Sequence, residues 1–228
     1  MSDDEDTAAE SGSAADQRRV TMLRCALEVI AERGFPDTRI ADVAERAGTS
    51  PALVIYYFRN KDNLLTEAMR LAEDLWYELG ARRMETLASA AARLEEIVSM
   101  TFLAEGDDEL PDSWKLWLDL WAQSVHHPEV ARVREEFDAH WRETIADIVR
   151  GGQASGEFIE LDATEFAITL SALLDGLAVQ IALDDPVVDP QRAFRATMRF
   201  ASQTLGFPWK QRRVVQPAAR TRQKQVSR

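Results

Sequence analysis

Trp114, Trp117 and Trp121 recur at three- and four-residue steps and share one face of a predicted helix with Val125. An indole face attracts cations, by about 2 kcal/mol per contact once water is excluded. Asp119 stands in the same segment and Asp175 in a later one, and acidic surroundings raise the local concentration of a cation. These five residues are therefore candidate contacts for an organic cation with apolar parts, such as a quaternary ammonium or polyamine-like compound. Two plainer readings stand beside that one. A neutral hydrophobic molecule would use the same tryptophans and no carboxylate. Tryptophans at helical spacing are also what an ordinary core requires, and Leu116 and Leu120 make the opposite side of this helix apolar too, which predicts a buried helix.

The remaining reactive side chains point to little chemistry. His126 and His127 are adjacent and project in different directions from a helix, and the only other histidine is His140. With the single Cys25 and no paired histidine spacing, no metal site is predicted, and no cofactor. No Ser-His-Asp set, glycine-rich phosphate loop or paired-carboxylate signature occurs, so no catalytic residue is assigned and an enzyme is not expected. Cys25 itself reads as a small buried hydrophobe.

The elements that must carry these groups are helices throughout. Val20, Leu23, Leu27 and Ile30 keep the helical period up to Gly34. Thr38 reads as an N-cap for a helix to about Ala47. Ser50 caps a short helix with Pro51 at its first position, and Asn60 caps a long one. Further helices are predicted over 88–105, 112–126, 128–151, 162–184 and 189–206, with Gly151-Gly152 among the breakers between them. Within this series Ala44, Gly48 and Val54 have the spacing of a helix-turn-helix. A small residue sits where two helices cross, a glycine where the chain turns, and an apolar anchor six residues on.

The charge is uneven. The chain is −12 overall, but residues 1–16 carry −6, 17–70 carry +2, 71–206 carry −15 and 207–228 carry +7. The helix-turn-helix segment is thus locally basic on an acidic body, which leaves phosphate binding open. Residues 1–16 lack large apolar side chains and read as a disordered acidic N-terminus; 207–228 read as a flexible basic tail. Between them lie a candidate DNA-binding unit over 17–61, which holds the helix-turn-helix, and a helical unit over 62–206, which holds the tryptophan face and is the candidate for ligand binding. No apolar run is long enough to span a membrane, the N-terminus has no secretory core, and the lone cysteine fits a reducing cytoplasm.

The run from Gly48 to Leu65, GTSPALVIYYFRNKDNLL, resembles the TetR family of transcriptional repressors, as do Gly34-Phe35 and TRIADVAERAG from Thr38 to Gly48. The Tyr-Phe-x-x-Lys-x-x-Leu-Leu stretch is the most specific part. The resemblance covers about residues 17–70 and implies an all-α fold, with an N-terminal three-helix DNA-binding domain and a larger C-terminal helical domain. It implies that the helix from Ser50 to Tyr57 enters the major groove of a double-stranded operator. Thr49, Ser50, Pro51 and Ala52 would meet base edges, Tyr56 and Tyr57 phosphates or bases, Lys61 a phosphate, and Arg39 backbone or groove. Many members have tyrosine where this chain has Ile55. The resemblance also implies a homodimer through a four-helix bundle built from 162–206, and the small side chains of that segment, Ala167 and Ala178 among them, read as allowing close helix approach at such an interface. The competing reading is a helical ligand-binding or adaptor protein that does not read DNA.

Overall fold

The computed structural model describes residues 3–103 and 113–210, and among the described residues there are nine helices and no strand. In chain order they are α1 (Asp3–Arg33), α2 (Ile40–Arg46), α3 (Pro51–Phe58), α4 (Lys61–Met84), α5 (Ala90–Phe102), α6 (Ser113–Ser124), α7 (Pro128–Ala154), α8 (Ala163–Ala182) and α9 (Pro190–Leu205). The all-α expectation holds, and the capping residues account for most boundaries. Ser50, Asn60, Ser89, Asp162 and Asp189 each accept a hydrogen bond from a backbone N–H in the first turn of the helix that follows.

Several boundaries differ from the sequence expectation. Helix α1 extends back to Asp3, through the segment expected to be disordered; Ala and Glu there have high helix propensity even without an apolar face. The N-cap of α2 is Arg39, not Thr38. Thr38 is buried, and its hydroxyl donates to the Gly34 carbonyl at 2.8 Å, closing the turn between α1 and α2. Gly151-Gly152 do not break α7, which continues to Ala154. Gly152 is retained there because the Phe158 ring lies where a Cβ would be. The start of the expected basic tail is anchored: Phe207 is buried against Phe158, and Trp209 packs edge-on to Phe194. Its remainder, 211–228, lies outside the described residues.

Two apolar cores organise the packing. The first joins α1, α2, α3 and the first half of α4 to α6 and the start of α7: Leu27, Val43, Val54, Phe58 and Leu65 share it with Leu116, Leu120, Val130 and Phe137. The second is built from α5, the end of α7, α8 and α9, around Leu94, Ile145, Leu170, Leu174 and Met198. The packing therefore crosses the sequence boundary at 61/62. Helix α8 is by length and composition apolar enough to cross a membrane, and its Phe166, Leu170, Leu174 and Ala178 lie in the second core. Ala167 and Ala178, expected at a partner interface, are buried inside their own protomer. The exposed face of α8 carries Ile168, Ala172 and Gly176 instead, a four-residue repeat roughly opposite the buried one, which the exposed Leu183 continues at the C-cap.

Candidate DNA-reading helix and ligand cavity

Helices α2 and α3 form the helix-turn-helix. Gly48 takes φ +63° in the turn, a conformation that L side chains rarely adopt, and nothing lies within 4 Å of where a Cβ would be. Val43, Ala44 and Val54 are buried at the crossing. The Ser50 hydroxyl accepts from Leu53 N–H at 3.2 Å, so the start of α3 is fixed with Pro51 and Ala52 exposed beside it. Thr49 is half-buried and Ser50 exposed. Along the outer face of α3, Ile55 is 50% and Tyr56 78% exposed. Tyr57 leans on the core and meets Tyr56 edge to face at 5.5 Å. Arg39 is exposed at the start of α2, its backbone N–H donating to Asp42 at 3.0 Å. Thr49, Ser50, Pro51, Ala52 and Tyr56 thus border one surface.

Lys61 differs. Its ammonium donates to the Pro36 carbonyl at 3.0 Å and stands 4.4 Å from the centre of the Phe35 ring. Burial depresses its pKa below the usual lysine range, against the opposing pull of Asp62, Asp37 and Asp119. In this conformation the side chain is engaged with the α1–α2 turn.

A cavity of about 120 Å³ lies between the two cores. Helix α6 supplies Trp114, Trp117 and Trp121, α4 supplies Trp76 and Tyr77, and α7 supplies Phe137 and Trp141. Five indoles thus surround one space. They are held by one another and by the backbone: Trp76 meets Trp141 edge-on at 5.2 Å, Trp117 meets Phe137 edge-on at 5.6 Å, and Trp114 Nε1 donates to the Thr101 carbonyl at 3.2 Å. Glu73, Asp138 and Asp175 complete the wall, and among the described residues no Lys, Arg or His lines it.

Those carboxylates lack compensation within the cavity. Burial pushes the Asp175 pKa up to about 6, with the Asp138 charge adding to the rise and Arg142 opposing it. Asp138 is also raised, first by burial and in spite of Arg134 and Arg142. Glu73 is raised by burial although His140 Nδ1 lies 3.3 Å from it. The Tyr77 phenol, stacked on His140 with ring centres 3.9 Å apart, is pushed up to about 12 by burial. Arg134 pairs with Asp138 from outside the lining; no cation of the lining itself offsets the remaining desolvation penalty, which an entering cation would offset.

Four of the five sequence candidates meet here: Trp114, Trp117, Trp121 and Asp175. Asp119 does not. It stands two residues from both Trp117 and Trp121, which on a helix is about 200° away, and its carboxylate accepts from the Phe35 N–H at 2.7 Å instead. Sequence reasoning missed Glu73, Trp76, Tyr77, Asp138 and Trp141; the i, i+3 pair Asp138–Trp141 on an otherwise polar stretch of α7 was the available signal. Where no metal site was expected, the fold gathers Asp62, His127 and Glu129, with His127 Nδ1 3.6 Å from each carboxylate in a partly exposed ion-pair cluster.

Comparison with known proteins is consistent across the chain. Residues 22–68 match the signature of bacterial regulatory proteins of the tetR family, and residues 90–206 match the C-terminal domain of BetI-type transcriptional repressors. The HTH-type transcriptional regulator BetI of Escherichia coli K12 is 33% identical over 193 residues, covering 82% of this chain and 94% of that protein. Its namesake in Burkholderia mallei is 31% identical over 191 residues, covering 82% and 93%. A transcriptional regulator from Saccharomonospora viridis, crystallised in complex with choline, superposes with a TM-score of 0.76 at 32% identity, covering 83% of this chain and 98% of the other.

Proposed function

The chain belongs to the TetR family of bacterial transcriptional regulators, with a C-terminal domain of the BetI type, and from that premise we propose that it represses transcription as a homodimer on a palindromic operator and is released by a small quaternary ammonium ligand of the choline class. It is a regulator and not an enzyme, acting in the cytoplasm where its DNA is. Helix α3 reads the major groove, with Thr49, Ser50, Pro51 and Ala52 at base edges and Tyr56, Tyr57 and Arg39 on backbone or groove. Lys61 reaches a phosphate only by leaving Pro36. The two-fold partner packs on the face of α8 that carries Ile168, Ala172, Gly176 and Leu183, where Leu183 is 70% exposed.

The observation that carries the ligand reading is the cavity: five indoles and three carboxylates, without a lining cation among the described residues. Its size narrows the ligand further. A volume of about 120 Å³ is close to the roughly 150 Å³ void that holds one benzene, which suits a compact ammonium such as choline. The complex of the S. viridis regulator with choline supports the same class. Titration calorimetry with choline and its uncharged carbon isostere 3,3-dimethylbutan-1-ol tests this. Choline binds at least tenfold tighter if the indole faces and carboxylates recognise charge, since desolvated cation–π contacts contribute about 2 kcal/mol each. Equal affinity for the two compounds would return the cavity to a neutral effector.

A further inference from the structure

Asp119 is carried by the helix that walls the cavity, yet it points the other way, into the turn between α1 and α2. Its Oδ2 accepts the Phe35 N–H at 2.7 Å across 84 residues of sequence. The same turn is held from a second side by Lys61, through the Pro36 carbonyl at 3.0 Å and the Phe35 ring. The turn is stiff. Thr38 N–H donates to the carbonyls of Gly34 and Phe35, each at 3.2 Å, and the Thr38 hydroxyl donates again to Gly34. Arg39, the next residue, is the N-cap of α2. Helix α2 is locked to α3 through Val43, Ala44 and Val54. A rigid path therefore runs from α6 through Asp119, Phe35 and α2 to the reading helix.

We propose that Asp119 is the positioning residue that couples cavity occupancy to the reading head: its carboxylate ties α6 to the Phe35 amide while the operator-binding arrangement lasts, and a ligand that displaces α6 breaks the tie. The proposal rests on the ligand reading above. A hydrogen bond of this kind is lost once donor and acceptor separate by more than about 3.5 Å, so a shift of α6 of about 1 Å is enough. Trp117 and Trp121 flank Asp119 on the cavity side of the same helix, so a ligand packed against their rings acts directly on the backbone that carries the carboxylate.

The test uses the full chain, choline chloride, and an operator selected from a random-sequence duplex pool. Operator affinity is measured with and without saturating choline, and choline affinity is measured on DNA-free protein by calorimetry. Asp119→Ala is expected to bind choline within about threefold of wild type, to bind operator about tenfold more weakly, and to lose most of the choline-dependent change in operator affinity. Asp119→Asn, which keeps an acceptor oxygen, is expected to fall between. Amide exchange gives a second reading that needs no variant: the Phe35 N–H is protected without choline and exchanges faster with it. Wild-type coupling in Asp119→Ala, or Phe35 exchange unchanged by saturating choline, overturns the proposal. If wild-type protein does not bind choline, the ligand reading fails by itself. The tie is then judged on operator affinity alone, a tenfold loss in Asp119→Ala supporting it and an unchanged value overturning it.

Discussion

The two cores differ in what they join. The second is made of helices from the C-terminal half alone, around Leu94, Leu170 and Met198. The first is shared: α6 and α7 lend Leu116, Leu120, Val133 and Phe137 to the cluster built by α1 to α4, meeting it through α1 and α4. A head on a flexible linker would let ligand and operator bind independently. A head whose apolar residues interlock with the cavity wall cannot reorient without disturbing that wall. The cavity at the seam of the two cores is thus where a small molecule has most leverage on their relative placement, because packed interiors switch between arrangements rather than deform gradually.

The largest expected effect concerns the second core's outer face. Ile168→Glu leaves the protomer folded, since Ile168 is 45% exposed, but sedimentation should show monomers. Operator affinity should then fall toward the non-specific level, a loss on the order of 10³-fold. Intact dimers would move the interface elsewhere.

Next come paired core truncations. Leu120→Ala and Leu170→Ala each remove a fully buried leucine and should each cost about 2–5 kcal/mol in chemical denaturation. Hydrogen exchange distinguishes them. Leu120→Ala should speed exchange across α1–α3, and Leu170→Ala should leave those helices protected. If both variants loosen the head equally, the two cores act as one.

The smallest effect sharpens the cavity. With its pKa raised to about 6, Asp175 binds a proton more tightly in the folded, empty protein than in the unfolded chain. Its contribution to stability is present below about pH 4 and is lost as the pH rises through about 6. Asp175→Asn should therefore stabilise the empty protein at pH 7.5, by on the order of 2 kcal/mol, and have little effect at pH 4. Choline affinity of the unmodified protein should rise between pH 5 and pH 7, because the cation favours the ionised carboxylate, and should lose that dependence in Asp175→Asn. Melting curves and calorimetry at several pH values check both.

What was legible in the sequence follows how far apart the cooperating residues are. Ala44, Gly48 and Val54 lie within eleven positions, so one helical period and one turn reveal the reading head. Trp114, Trp117 and Trp121 declare themselves because they repeat on one helix. The rest of the cavity is drawn from Ala72 to Asp175 across helices α4, α5, α6, α7 and α8, and no local period links Trp76 to Trp141. Proximity in sequence misled for Asp119, where the angle around α6 decides. It misled again for Ala167 and Ala178, small residues chosen for close approach that the fold places inside the protomer, on the side of α8 roughly opposite the exposed stripe.

The crowding of indoles has an optical consequence. The chain has six tryptophans, and five of them line the cavity; only Trp209 lies apart. Indole emission shifts with the polarity around the ring, so the near-ultraviolet fluorescence of this protein is almost entirely a signal from one site. Water leaving that site would shift the emission of five chromophores together against a background of one. The unlabelled protein is consequently its own spectroscopic sensor, and occupancy can be followed in a cuvette with operator present or absent.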